Sequence, residues 1–384
     1  MKYRIEKIVR WEDVWALKAD WNELLSSRGG GNIFLSYSWI KNWCRFSAQE
    51  VSPHFLRVRE GKRTVAIIPL VFERCTWRKL PVRQLRFCID SLSPWCGAII
   101  PEREEEIAKV VWGFLKKQDN WDVMRMEKIP EGEMGFLFQS MAPGQGLDSL
   151  IAHGSQYYIA IDGTWESYCL TRTKRFRRRL RTLAENSGEG GNSAEVRIFD
   201  TPETAQEGMR MFLDVDSRSW KREEGETIDL GSTLHGYYQN IVDTFTAKGQ
   251  CFLVAFMSAG KPVSAAIFLC DKQGAYGFKT SFAADCGLED ISPGFIVVAA
   301  GIRECWRRGS KVIHLLSGSP EWERWTSKKK GFARRVVFRP SPYGDLLLGV
   351  ERSIRLFAGK RIWYAFVPRV AEGTQETVPS EDRC

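Results

Sequence analysis

Ser292-Pro293-Gly294 stands at the head of a segment, Phe295 to Arg307, whose apolar residues recur at helical spacing. Proline suits a first helical turn, where its missing N–H is not needed. The remaining first-turn N–H groups and the positive end of the helix dipole make such an opening an anion site, suited to a pyrophosphate or a phosphopantetheine phosphate. The flanking residues say what that anion would be attached to. Cys251 to Met257 alternates and is rich in Phe and Val, Ser258-Ala259-Gly260-Lys261 supplies a turn, and Val263 to Cys270 is a second apolar run, so the pair reads as a hairpin. Ala275 to Phe282 is a third strand. Gly309 and Ser310 close the helix, and Lys311 to Leu316 is a strand ending at Ser317-Gly318-Ser319-Pro320, where a second helix is expected to begin. Strand, helix, strand, helix in this order can build an acyl-thioester site.

The supporting elements run through the whole chain. Trp11 to Leu25 and Trp39 to Phe46 read as amphipathic helices, and His54 to Glu60 with Thr64 to Phe72 as a hairpin about Gly61-Lys62. Glu102 to Lys117 reads as a helix, Trp121 to Met126 as a strand, Gly132 to Met141 as a helix, Ser155 to Ile161 as a strand and Tyr343 to Phe357 as a last helix. Hairpin, helix and strand recur in both halves, so the expected fold is α/β (α+β), two units each with a mixed central sheet flanked by helices. The expected division is 1–150, 151–370 and a disordered tail, 371–384.

At 384 residues the chain is long enough for two cores, and its hydrophobic fraction of 43% is that of a folded domain. No window approaches the apolar length that crosses a bilayer, and Met1-Lys2-Tyr3-Arg4-Ile5-Glu6 lacks a signal peptide's apolar region, so a cytoplasmic protein is expected. Peripheral contact with the inner membrane is a further expectation, from Lys360, Arg361, Trp363, Tyr364 and Phe366, a mixture that suits headgroups as well as packing. Ten irregularly spaced cysteines and four scattered histidines support no metal site. The net charge of +9 concentrates in Arg172, Lys174, Arg175, Arg177, Arg178, Arg179 and Arg181, on a segment whose Phe176, Leu180 and Leu183 form one apolar stripe. The cationic face of that helix would suit the phosphate end of coenzyme A, an acyl carrier protein, an anionic membrane or glycan, or RNA.

Several segments together resemble the GNAT superfamily of acyltransferases, in its CelD-like branch of polysaccharide and cell-envelope biosynthesis, related to FemAB. Asp216-x-x-x-Trp220 lies where that family often shows His-x-x-x-Trp, and Gly260-Lys261-Pro262-Val263-Ser264-Ala265-Ala266 is similar to its G-x-P-V-A-A hairpin. Ser292-Pro293-Gly294 matches its helix start. Gly318 to Trp325 is similar to its G-x-x-x-Y-K-x-x-W region, with Trp322 at the Tyr position and Glu323 at the Lys position. In the first half, Phe34 to Trp39 and Ala66 to Leu70 resemble its F-x-S-x-x-W and A-x-x-P-L segments, so the resemblance covers the chain to about Arg339.

The resemblance implies tandem GNAT-like units, the first degenerate and the second an N-acyltransferase. It would move an acyl group from acetyl-CoA, another acyl-CoA or an acyl carrier thioester to the amino group of a small-molecule or glycan acceptor. The thioester would lie between the strands Ala275 to Phe282 and Lys311 to Leu316, with Phe278, Lys279, Thr280, Ser292, Pro293, Gly294 and Phe295 on the cofactor. Asp216 and His314 are the expected catalytic residues; Arg175, Arg178, Trp220, Ser317 and Trp322 are the expected substrate contacts. Trp322 carries only an indole N–H and cannot serve as the acid that a tyrosine would. A FemAB-like ligase using aminoacyl-tRNA, the one reading that brings in nucleic acid, and a non-catalytic partner in polysaccharide biosynthesis stand as alternatives. The missing coiled-coil arm speaks against the ligase.

Overall fold

The structure, a computed structural model, describes residues 2–27, 32–47, 51–89, 92–130, 146–186, 194–222, 225, 227–284 and 292–357. The helix expected at Gly132 to Met141, the acidic loop Asp285 to Asp290, the basic-aromatic stretch from Gly359 and the tail lie outside these residues. In chain order the elements begin with β1 (Tyr3–Ile8), α1 (Trp11–Ala16), α2 (Lys18–Ser27), a 3-10 turn (Ile33–Leu35), α3 (Tyr37–Ser47), β2 (Ser52–Pro53), β3 (Phe55–Glu60) and β4 (Arg63–Ile68). β5 (Leu70–Trp77), β6 (Leu80–Phe87), α4 (Glu104–Leu115), β7 (Val123–Pro130), β8 (Gly146–Ala160), α5 (Trp165–Leu170), α6 (Lys174–Asn186) and β9 (Glu195–Phe199) follow. The remainder is α7 (Pro202–Ser217), a 3-10 turn (Trp220–Arg222), α8 (Thr233–Thr246), β10 (Cys251–Ser258), β11 (Lys261–Cys270), β12 (Ala275–Phe282), α9 (Pro293–Arg307), β13 (Val312–His314), a 3-10 turn (Pro320–Arg324), β14 (Lys329–Phe338) and α10 (Pro342–Phe357).

Two compact units form. The first comprises Met1–Leu17, Glu50–Ile151 and Ala333–Cys384; the second comprises Lys18–Gln49 and Ala152–Phe332. The contacts therefore group residues 18–49 with the second unit, whereas the sequence division at 150/151 follows chain order.

In the first unit β1, β3 and β4 make an antiparallel sheet, and a mixed sheet runs in the order β2-β5-β6-β7-β14, with β6 and β7 parallel. Ile107, Ala108, Val111 and Leu115 recur at three- and four-residue steps along α4 and bury one face in a core with Leu56, Val58, Leu85 and Met124. Glu104, Glu105 and Glu106 fill its first turn, where the helix dipole favours acids.

In the second unit the sheet order is β8-β13-β12-β11-β10-β9, antiparallel except for β12 with β13. The expected β10–β11 hairpin is present, in register from Cys251↔Leu269 to Ser258↔Lys261. Adjacent β12 residues show which helix covers which face, because successive strand side chains point to opposite sides. Ser281 bonds Asp216 of α7, while Phe282 lies against Gly294 of α9. α7 and α9 thus cover opposite faces. Gly301 lets α9 lie close on β11, since a Cβ there would sit 2.1 Å from the Phe268 ring. This is the mixed α/β architecture expected. Among the described residues no helix is long and apolar enough to cross a membrane.

Candidate functional site

Among the described residues the second unit's sheet opens between β12 and β13. β12 and β13 run parallel and pair only through Ala275↔Ile313 and Tyr276↔His314, yet β12 continues to Phe282. α9 makes the crossover to this parallel neighbour, and divergence after two pairs leaves the β12 edge beyond Tyr276 without a paired strand, a notch in the sheet. The opposite arm follows β8 instead. Leu315 N–H donates to the Tyr157 carbonyl at 2.9 Å, and Tyr157 N–H to the Ser317 carbonyl at 3.0 Å. Two backbone features bend the arms. The β11–β12 register passes from Phe268↔Gly277 to Ile267↔Lys279, so Phe278 is a bulge residue, and bulges re-aim side chains and sharpen twist. Leu316 adopts φ +52°, a left-handed conformation that a leucine holds only when its surroundings impose it.

Of the residues expected at the thioester, Phe278, Lys279 and Thr280 lie on the β12 arm and Ser317 on the other. The Phe278 ring meets Trp39 edge-on at 5.6 Å and Tyr238 at 5.6 Å, and Trp39 also contacts Phe34, which meets Tyr276 at 4.9 Å. Phe34 and Trp39 belong to the F-x-S-x-x-W segment near the start of the chain, whose place against the β12 arm the sequence did not reveal. The Lys279 ammonium lies over the Tyr238 ring at 5.7 Å, which turns it toward α8. The Thr280 carbonyl accepts from Lys221 Nζ at 3.0 Å.

Asp216 ends α7 and is fully buried. Its Oδ2 accepts from the Ile228 N–H at 2.8 Å, its Oδ1 from the Ser281 hydroxyl at 2.8 Å, and Lys221 Nζ is 3.7 Å from Oδ1. A carboxylate so enclosed fastens the β12 arm to α7 and does not meet a substrate amine. Trp220, an expected substrate contact four residues on, lies beyond the end of α7 on the following 3-10 turn and is 44% exposed.

His314 stacks on Tyr276 at 5.3 Å and 16° and lies 6.1 Å from Tyr158. Burial among these rings, and then the Lys330 charge, push its pKa down to about 3. A ring so tuned is neutral at pH 7 and binds a proton too weakly for general-base work there, which removes His314 from the expected catalytic pair. The same shift predicts acid sensitivity. The folded pKa lies below the ordinary 6.5, so the contribution to stability is complete above pH 6.5 and is lost as pH falls toward 3, by up to about 1.4 kcal/mol per pH unit. Denaturant midpoints between pH 7 and pH 4.5 should fall for the wild type and fall less steeply for His314→Phe. Equal slopes would mean that the ring titrates normally in the fold.

At the α9 opening, Pro293 contributes no N–H, and the Phe295 and Ile296 N–H groups both donate to the Ser292 carbonyl, at 3.0 and 3.2 Å. Among the described residues Gly294 is left as the first-turn amide without a hydrogen-bond acceptor. Ser292 is exposed, whereas Phe295 is buried in a cluster with Phe176 at 5.1 Å and Trp325 at 5.0 Å, so it serves packing and not the cofactor. Through Phe176 the cationic helix α6 is pinned beside this opening. Arg175 and Arg178 lie on its exposed side, and the Arg179 guanidinium rests over the Phe295 ring at 5.9 Å. Trp322 is half-buried and packs against the core.

One constellation escaped the sequence analysis. The buried Tyr157 donates its hydroxyl to Glu323 Oε1 at 2.8 Å, and Lys329 Nζ stands 4.5 Å from the Tyr157 ring and 3.6 Å from the same carboxylate oxygen. The departures at positions 322 and 323 were the only signal. The hydroxyl missing at 322 is present on a neighbouring strand, and the lysine missing at 323 is present at 329.

Residues 172–324 match the family described as acetyltransferase (GNAT) domain. Among solved structures the chain is similar to FemX, at 10% identity over 89% of this chain and 99% of that one, with a TM-score of 0.61. It is also similar to the C-terminal domain assigned to a lysylphosphatidylglycerol synthetase of Agrobacterium fabrum (11%, 88% and 96%, TM-score 0.51) and to L-PGS from Bacillus licheniformis (10%, 88% and 96%, TM-score 0.50). At these identities the likeness is one of fold. No curated protein matches the sequence.

Proposed function

We propose that the second unit is an N-acyltransferase that moves an acyl group from acetyl-CoA or another acyl thioester to an amino group on a sugar or cell-envelope precursor, with the first unit a degenerate GNAT-like companion. The observation that carries this reading is the parting of β12 from β13 after two residue pairs, beside a helix opening, inside the span that matches the acetyltransferase domain. A thioester laid in the notch meets backbone amides along an unpaired edge. Amides aimed at the developing oxyanion are worth about 3 kcal/mol each. The acceptor nitrogen attacks the carbonyl carbon, the C–S bond breaks, the ammonium proton leaves and the departing thiolate takes up a proton. With Asp216 enclosed and His314 neutral, the linked groups Glu323, Tyr157 and Lys329 lie near the Ser317 arm, and the Glu323 carboxylate, 63% exposed, is open to an incoming amine.

The test is binding followed by turnover. Acetyl-CoA should raise the melting temperature, by about 2.7 kcal/mol of added stability at a hundredfold excess over Kd, and mass spectrometry should find acetyl groups on amino sugars incubated with both. Neither effect appearing would end the reading. Gly294 offers a narrower check. A Cβ there would lie 3.1 Å from Phe282 Cδ1, so Gly294→Leu crowds the helix opening and should weaken coenzyme A about tenfold, roughly 1.4 kcal/mol, as read by calorimetry. Unchanged affinity would take the donor away from this opening.

A further inference from the structure

The turn between β11 and β12 holds a carboxylate with two tasks. Asp271 Oδ1 accepts from the Gln273 and Gly274 N–H groups, at 2.8 and 3.0 Å, the usual way an aspartate closes its own turn. Its Oδ2 makes bonds that the turn does not need. It accepts from the Ile33 N–H at 2.9 Å, across 238 positions of the chain, and from the Tyr276 hydroxyl at 2.9 Å. One oxygen therefore ties the 3-10 turn Ile33–Leu35 to the start of β12. Tyr276 is the residue at which β12 and β13 part, since its pairing with His314 is the last between them, and its ring stacks on that of His314 at 5.3 Å.

From Ile33 the contacts run on to the notch. Phe34 meets Tyr276 at 4.9 Å and Trp39 at 4.8 Å, and Trp39 meets the bulge residue Phe278 at 5.6 Å. Phe34 and Trp39 are each 1% exposed, and rings packed this closely pass a displacement on to their neighbours. α3 has an attachment of its own to α8, through Asn42 Oδ1, which accepts from Asn240 Nδ2 at 2.5 Å. What Asp271 fixes is the turn ahead of α3 and, through Phe34, the ring of Trp39.

We infer that Asp271 is a positioning residue for acyl transfer: by holding Ile33 and Tyr276 on one carboxylate oxygen it keeps the aromatic residues 34–39 pressed on the β12 arm and so sets the place of Phe278. The edge of β12 that lacks a paired strand begins beside this bulge, and a bulge decides how the residues around it are aimed. The inference rests on the acyl-transfer reading only for its effect on rate. The placement of Phe278 does not depend on it.

Asp271→Asn tests it. Asparagine can keep the Oδ1 bonds of the turn while its NH2 group faces the Ile33 N–H, so the hairpin should fold and the tie should fail. Amide hydrogen exchange over residues 33–36 should quicken at least about tenfold and stay within about twofold in β10, and a crystal structure of the variant should show the Phe278 ring displaced by roughly 1 Å. With acetyl-CoA and an amino sugar, well below the melting temperature, kcat should fall about tenfold while the donor's KM holds within about twofold, a split that a loss of stability alone does not produce. Tyr276→Phe removes the hydroxyl's bond and keeps the ring, and should show the same pattern at about threefold; it carries the test if Asp271→Asn does not fold. Unchanged exchange over residues 33–36, a Phe278 ring that keeps its place, or wild-type kcat with the ring displaced overturns the inference. A wild type that transfers no acetyl group, with the ring displaced in the variant as expected, ends the acyl-transfer reading and leaves the placement of Phe278 by Asp271 standing.

Discussion

Asp216→Asn is expected to lower the melting temperature strongly, in advance of any effect on turnover. The side chain is fully buried and accepts from the Ile228 N–H and the Ser281 hydroxyl, with Lys221 Nζ at 3.7 Å. An asparagine supplies one acceptor oxygen and one NH2 group. Turned one way, the NH2 group faces the Ile228 N–H; turned the other, it can donate to the Ser281 hydroxyl but lies beside the Lys221 ammonium, and in either case the carboxylate charge near Lys221, 13% exposed, is lost. Breaking a buried, hydrogen-bonded charge in this way costs about 2–4 kcal/mol, the range between an unsatisfied buried donor and a broken buried ion pair. For a unit of this size that is a fall of roughly 5–15 °C. Ser281→Ala removes one of the same bonds and should cost less, about 1–2 kcal/mol. Combined with Asp216→Asn it should be clearly sub-additive, because both substitutions dismantle one network. A variant that melts with the wild type but has lost turnover would return Asp216 to the role of base.

The site was legible where local rules decide the structure. The β10–β11 hairpin follows from alternation and from a turn whose Ala259 and Gly260 take φ +49° and +75°, conformations that glycine makes easy. The α9 start follows from proline in a first turn. Trp11 to Leu25 was expected as one helix because Val14, Leu17, Trp21, Leu24 and Leu25 keep helical spacing, but the chain turns at Leu17 and begins a second helix that belongs to the other unit. Spacing records which residues are buried, not what buries them. β6 went unread because Arg83 and Arg86 interrupt its pattern. Both are satisfied from afar, Arg83 by Asp122 at 2.7 Å and Arg86 by Glu73 at 2.9 Å. The parting of β12 and β13 leaves no local trace, since a strand reads alike with or without a neighbour. For the same reason Asp216 looked like a free acid on a helix face. Its enclosure depends on Ile228 and Ser281, which lie 12 and 65 positions further along the chain.

The arm opposite β12 can be tested with one methyl group. Gly318 follows Ser317, whose carbonyl accepts the Tyr157 N–H, and a Cβ at 318 would lie 2.3 Å from the Ser155 carbonyl oxygen. That oxygen is backbone of β8 and cannot rotate away, so Gly318→Ala must move the arm or the strand by about 1 Å to reach ordinary contact distance. Overpacking of this kind costs about 1–3 kcal/mol. Its effect on chemistry should be larger in proportion, because the displaced segment forms one side of the notch. A misplacement of about 1 Å beside the reacting atoms is worth on the order of 100-fold in rate. Gly318→Ala should therefore remain folded and lose about two orders of magnitude in kcat/KM with an acyl-thioester donor. Gly113→Ala is the control. A Cβ at this position in α4 has no heavy atom within 4 Å, and alanine in a helix interior should add roughly 0.5–1 kcal/mol of stability with turnover unchanged. If Gly318→Ala keeps wild-type turnover, the Leu315–Gly318 arm is no part of the machinery, and the notch between the two strands loses its claim to the thioester.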